Sequence, residues 1–245
     1  TRRQQLLGHR RAAAEAPENT LVAFRRALEV GAAGVELDVH LTRDHQPVVI
    51  HDDTLARVSG LVAPVRDLTL AEIQSLDAGS WFGREFADVR IPSLAEALAA
   101  VGPQAIVNVE LKGMSLAADG LERQVARVVR IHNAGSRVIC SSFNPVRLWR
   151  LRVVAPELAR GLLHAADLPA PLRRLWLLPL AQPDALHPHH RQVTRRYMAR
   201  ARRWGVRVNA WTVDDADEAW RLVALGVDGI ISNDPRSMVA AGLIR

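Results

Sequence analysis

Short β-type runs recur about every thirty residues along this chain, and helical patterning lies between them. Eight such runs can be read: Leu6–His9, Val35–His40 with a continuation at Val48–His51, Ile106–Leu111, Arg137–Ser141, Ala159–His164, Asp184–His187, Arg207–Trp211 and Gly229–Ser232. Thr20–Val30 reads as an amphipathic helix with Leu21, Phe24 and Leu28 on one stripe. Leu94–Val101, Leu121–His132, Pro145–Val154, Thr194–Trp204, Ala216–Leu225 and Pro235–Ala241 read the same way, and Pro169–Leu178 forms a proline-broken eighth segment. Strict alternation argues for a parallel α/β sheet. Eight units in 245 residues argue for closure into a (β/α)8 TIM barrel, expected as a single domain over residues 1–245. Asp53 to Arg90 is expected as a small insertion in the second unit.

Composition narrows the function classes. Hydrophobic residues make up 49% of the chain, enough apolar surface to offset chain entropy, so disorder is excluded. The single cysteine, Cys140, excludes an intramolecular disulfide framework and a cysteine zinc cluster. No apolar run approaches the roughly 18 residues of a membrane span. The formal charge is +6, and all but one of the 32 basic residues are arginines. That balance suits anionic partners such as phosphoesters or membrane surfaces. The scatter of the arginines and the 4% aromatic content argue against nucleic-acid recognition.

The second run, Val35-Glu36-Leu37-Asp38-Val39-His40, carries chemistry on one face. Side chains alternate along a strand, so Glu36, Asp38 and His40 point together while Val35, Leu37 and Val39 pack on helices. The two carboxylates are about 7 Å apart along the strand. The third run repeats the pattern with Asn108, Glu110 and Lys112. Glu36, Asp38 and Glu110 should therefore converge at the C-terminal mouth, where barrel enzymes place their sites. Three carboxylates together require neutralisation. A divalent cation on oxygen ligands, Mg²⁺ or Ca²⁺, meets that need, as does a salt-bridge layer using Lys112 and nearby arginines. Lys112 is the one lysine of the chain, and a compact ammonium fits where a planar guanidinium does not. His9 and His51 end runs at the same mouth and suit a general acid and base near neutral pH. Arg10 suits a phosphate oxygen. Trp211, with Asn209 on its face, forms either a pocket wall or core. His187, His189 and His190 resemble a metal cluster, but Pro188 interrupts them and they are expected in a solvated loop. Walker, Rossmann and nucleophile-elbow motifs are absent.

These residues resemble the glycerophosphodiester phosphodiesterase family. The resemblance rests on Gly8-His9-Arg10, Pro17-Glu18-Asn19-Thr20, Glu36-Leu37-Asp38, His51-Asp52-Asp53-Thr54-Leu55 and Glu110-Leu111-Lys112. It continues through Ser141-Ser142-Phe143, Trp211-Thr212-Val213 and Gly226-Val227-Asp228-Gly229. It implies a barrel that hydrolyses glycerophosphodiesters to sn-glycerol 3-phosphate and an alcohol. It further implies that Glu36, Asp38 and Glu110 bind one Mg²⁺ or Ca²⁺ and that His9 and His51 are the acid/base pair. Arg10 and Lys112 would hold the phosphate, and Trp211 would line the glycerol or alcohol side. The length resembles the compact members, which implies a cytoplasmic location. Arg11 departs from the family, which usually has glycine there, and adds bulk and charge beside the phosphate. Two other functions fit the same residues: lysophospholipase D-like hydrolysis of lysolipid headgroups with weak contact to anionic membrane, and a non-catalytic phosphodiester-binding module.

Overall fold

The structure, a computed structural model, describes residues 4–10 and 16–243. Among the described residues nine strands form one sheet: β1 (Gln5–His9), β2 (Gly34–Leu41), β3 (Pro47–Val49), β4 (Ile106–Leu111), β5 (Val138–Ser142), β6 (Ala159–His164), β7 (Ala185–Pro188), β8 (Arg207–Ala210) and β9 (Gly229–Ser232). All except β3 run parallel, and β1 pairs with both β2 and β9, which closes an eight-stranded barrel. Helices follow the strands, as the alternating pattern requires, so the fold is the expected (β/α)8 barrel.

The strands close because they are apolar on the helix-facing side. Val35, Leu37 and Val39 of β2 and Val107, Val109 and Leu111 of β4 are buried against Phe24, Leu94, Leu98, Val125 and Val129 of the surrounding helices. Each such side chain taken fully from water contributes roughly 1.5–3 kcal/mol. The helices start where short polar side chains satisfy their first N–H groups. Thr20 accepts from the Ala23 amide to open Leu21–Glu29, and Asn144 accepts from Val146 to open Pro145–Val154.

The continuation expected at Val48–His51 is not part of the second barrel strand. The chain reverses at Thr42–Gln46, where the Thr42 amide donates to Gln46 O and the Thr42 hydroxyl to Asp44. β3 then returns antiparallel, with Val39 opposite Val49. The hairpin leaves Ile50 N–H on Asp38 O at 3.0 Å, which brings His51 back to the mouth. The residues that follow form short helical turns over a separate small core of Val48, Ile50, Leu55, Val58, Val65 and Ile73. The proline-broken segment after β6 forms two four-residue turns, Ala170–Arg173 and Leu178–Ala181, rather than one helix.

Candidate active site

Strand register assembles the site. His9 of β1 is opposite Glu36 of β2, Glu36 is opposite Asn108 of β4, and Asp38 is opposite Glu110. Two rungs of the barrel thus carry all three predicted carboxylates inward. One oxygen from each of Glu36, Asp38 and Glu110 lies within 4.8 Å of the others, and all three residues are buried. His9, Arg10, His51 and Lys112 surround them, so the structure brings these seven predicted residues together.

Asp38 is the most heavily partnered. Arg10 Nε lies 2.9 Å from its Oδ2 and Lys112 Nζ 3.4 Å from its Oδ1. Asn19 Nδ2 donates to Oδ2 at 3.0 Å. Burial would raise the Asp38 carboxyl, but Arg10, Lys112 and the Asn19 hydrogen bond overcome it and hold it down at about 2. Lys112 also bridges to Glu110 at 3.0 Å. Burial and the charge of Asp38 nevertheless push Glu110 up to about 7. Glu36 rises well above the usual carboxylate range, from burial first and Asp38 second.

This arrangement tests the cation and salt-bridge alternatives. Among the described residues two cations, Arg10 and Lys112, face three carboxylates, and neither forms an ion pair with Glu36. Glu36 Oε2 and Asp38 Oδ1 are buried acceptors without a hydrogen-bond donor among the described residues. Arg10 and Lys112 therefore supply part of the neutralisation, and the remaining oxygens fit a hard divalent cation.

The two histidines are held differently. His9 Nδ1 donates to Asn233 Oδ1 at 2.7 Å, and its Nε2 lies 3.6 Å from Glu36 Oε2. Asn233 is fixed in turn: its Nδ2 donates to Asp214 Oδ2 at 2.8 Å and its backbone N to Oδ1 at 2.7 Å. Burial, followed by the charge of Arg10, pushes His9 down to about 4. His51 Nδ1 instead donates to the Asp52 carboxylate at 2.6 Å. Arg57 donates to Asp52 and also to Glu18, and its hydrogen bond holds Asp52 at about 2. The His51 carbonyl accepts from His40 Nε2, which pins the loop.

Arg10 has φ of 38°, a left-handed conformation that is strained for a residue with a Cβ. Its N–H donates to Glu36 O and its carbonyl accepts from Asn19 N, so neighbouring backbone fixes the strained residue. Arg11 lies outside the described residues.

A cavity of about 670 Å³ adjoins the cluster, lined by Glu110, Lys112, Phe143, His189 and Trp211 among others. Trp211 is a wall rather than core. Its Nε1 donates to His187 O at 2.7 Å, and its ring meets Phe143 and His189 edge-on. A larger cavity of about 790 Å³ opens at the other end of the barrel, among Arg137, Arg160 and Arg207, away from the carboxylates.

The solvated loop expected for the histidine group is corrected at His187. β7 extends through Pro188, and His187 is fully buried in the barrel. Its ring lies over Gly161, where a Cβ would come within 2.6 Å of Nε2. His190 pairs with Glu218, and only His189 reaches the cavity. Sequence reasoning missed Asn19, Asp52, Asp214 and Asn233 as site residues. Asn19 and Asp52 were visible only as members of motifs, and nothing local marks the other two.

Comparison with known proteins agrees with this geometry. Residues 9–237 match the Glycerophosphoryl diester phosphodiesterase family. A glycerophosphodiester phosphodiesterase from Caldanaerobacter subterraneus subsp. tengcongensis is 39% identical over 236 residues, 96% of each chain. One from Bacillus altitudinis is 31% identical over 94% of this chain and 95% of its own. A phosphodiesterase structure from Oleispira antarctica, in complex with the product sn-glycerol-3-phosphate, superposes with a TM-score of 0.84 at 32% identity, covering 97% of this chain and 96% of that one. The chain therefore belongs to the glycerophosphoryl diester phosphodiesterase family.

Proposed function

We propose that this chain hydrolyses glycerophosphodiesters to sn-glycerol 3-phosphate and an alcohol, with Glu36, Asp38 and Glu110 holding one Mg²⁺ or Ca²⁺. The observation that carries this reading is the convergence of three buried carboxylates between two differently partnered histidines. The names and product of the relatives support the substrate class. A bound divalent cation supplies Lewis-acid neutralisation of the phosphodiester.

The chain's own residues do the rest. Arg10 and Lys112 donate to the phosphate oxygens and stabilise charge that grows there in the transition state. His9 carries its proton on Nδ1, toward Asn233, which leaves an Nε2 lone pair facing the carboxylate cluster. It acts as the base on the attacking oxygen, whether that is the glycerol 2-hydroxyl or water. His51 is oriented by its Nδ1 hydrogen bond to the Asp52 carboxylate and serves as the acid that protonates the leaving alkoxide. Trp211 and Phe143 form the wall against which the organic part of the substrate rests.

A second reading, lysophospholipase D-like hydrolysis, is favoured by one observation. Met114, in the loop that follows Lys112, is an exposed apolar side chain that lines the cavity at the mouth. Product analysis tests both readings together. Release of sn-glycerol 3-phosphate from glycerophosphocholine is expected, and His9→Ala and His51→Ala should each lower kcat by about 10²–10⁴. Turnover of lysophosphatidylcholine alone would select the second reading. Binding of glycerophosphocholine without turnover would reduce the protein to a binding module.

A further inference from the structure

From Ala185 to Val213 the sequence holds seven arginines and no Asp or Glu. Five of the seven lie on one helix, Arg195–Trp204: Arg195, Arg196, Arg200, Arg202 and Arg203. None of the five forms an ion pair with a carboxylate among the described residues. The other face of the helix is ordinary core, with Tyr197, Met198 and Ala201 buried against β8 and its neighbours. The charge is thus confined to the outer face.

A compositional preference for arginine explains why these residues are not lysines. It does not explain a helix without a counter-charge. Arg195 and Arg196 occupy the first turn, where the helix dipole favours carboxylates and disfavours cations. Local physics therefore opposes Arg195 and Arg196, whereas Arg202 and Arg203 sit in the last turn, where it favours them, and Arg202 also donates to Leu225 O at 3.0 Å.

Exposed tryptophan accompanies the charge. Trp204 ends the helix, and Arg200 sits 5.0 Å from its ring centroid. Trp176, in the loop segment before β7, is exposed under Arg174, and Trp220 is exposed on the next helix, Ala216–Leu225. With its apolar face taken up by the barrel core, the helix offers lipid a cationic face edged by exposed tryptophan, the pattern that anionic headgroups attract.

We propose that the outer face of helix Arg195–Trp204, with exposed Trp204 at its end, docks this protein on an anionic lipid bilayer. Self-association through this face would set five unpaired cations against five more. A nucleic acid partner would need a groove or a stacking platform, whereas this is a convex helix on a barrel wall. Anionic headgroups supply the missing charge, and the bilayer interface accepts Trp204. The helix begins at Thr194, just past the C-terminal end of β7, so its first turn lies toward the active-site mouth. Docking there sets the mouth beside the membrane surface. The inference is independent of the hydrolytic chemistry and stands or falls without it.

Vesicle co-sedimentation tests it. The intact protein should bind phosphatidylglycerol/phosphatidylcholine vesicles at low salt, bind pure phosphatidylcholine poorly, and be released by 500 mM salt. A triple variant, Arg195→Gln, Arg196→Gln and Arg203→Gln, removes three exposed charges without touching the site. It should partition about a hundred-fold less, at about five-fold per arginine. Trp204→Ala should weaken binding several-fold. If the triple variant loses its fold by circular dichroism, Arg195→Gln alone should still show the five-fold loss. Unchanged partitioning of the variants, absence of binding to anionic vesicles, or tighter binding to a single-stranded oligonucleotide than to the vesicles would overturn the proposal.

Discussion

Nδ1 of His9 lies 2.7 Å from Oδ1 of Asn233, a contact that ties the first strand of the barrel to the loop after the last. Asp214 fixes the Asn233 amide, so the carbonyl oxygen faces the imidazole and the ring proton is held on Nδ1. Asn233→Ala removes that constraint while leaving the carboxylates in place. It should lower kcat by about 10–100-fold, the usual cost of losing a partner that orients an active-site imidazole, with KM little changed. Steady-state kinetics on glycerophosphocholine checks this. A large rise in KM at unchanged kcat would show instead that Asn233 acts on binding.

Asp52 does the corresponding work for His51, but with charge. Arg57 keeps it ionised by holding it at about 2, so it remains a carboxylate throughout the working range. Asp52→Asn keeps the shape and removes the carboxylate acceptor that orients the His51 ring. The expected effect is a fall in kcat of about a hundred-fold or more. A substrate with a good leaving group, such as a nitrophenyl diester, should be far less affected, because its departure needs little proton donation. Equal losses on both substrates would contradict the assignment of His51 as the acid.

The three carboxylates are not equivalent. Asp38 is ion-paired with Arg10 and Lys112 and accepts a hydrogen bond from Asn19, whereas buried Glu36 forms an ion pair with neither cation. In EDTA, Glu36→Gln should melt at or above the parent protein. Asp38→Asn should be destabilised by about 3–5 kcal/mol, because it breaks a buried ion-pair cluster. Both should lose the rise in Tm produced by added Mg²⁺ or Ca²⁺. Differential scanning calorimetry with and without metal reads all of these. A full metal-induced shift in Glu36→Gln would remove Glu36 from the ligand set.

Buried neutral histidines give the fold an acid limit. Burial pushes His187 down to about 3 and His164 to about 4, against an ordinary value of 6.5. Both lie below their unfolded values, so the unfolded chain binds more protons. Their contribution is complete above pH 6.5 and is lost as pH falls toward 4, at up to about 1.4 kcal/mol per pH unit for each. Glu36 and Glu110 shift upward and act in the opposite sense, so a comparison of variants isolates the histidine. In urea denaturation between pH 7 and pH 4.5, His187→Gln should lose less stability than the parent. Parallel curves would show that His187 is not buried neutral.

Much of this was legible because a parallel barrel has a rigid grammar. Alternation along β2 and β4 fixed which side chains point inward, and register then brought Asp38 opposite Glu110. The hairpin at Thr42–Gln46 was not legible, because Val48, Val49 and Ile50 look the same whether a strand continues or turns back. His187 was misplaced because Pro188 reads as a strand end, while the room for its ring comes from Gly161 on the neighbouring strand. Asn233 and Asp214 escaped for a related reason: their roles depend on barrel closure, which brings the last loop to the first strand.

The most direct test of the account is release of sn-glycerol 3-phosphate by the purified protein. Glycerophosphocholine, glycerophosphoethanolamine and glycerophosphoglycerol would each be supplied with EDTA, Mg²⁺ or Ca²⁺. The account predicts release that EDTA abolishes and one of the two cations restores. Release at full rate in EDTA would contradict the metal role of Glu36, Asp38 and Glu110, and no release under any condition would contradict the hydrolytic function itself.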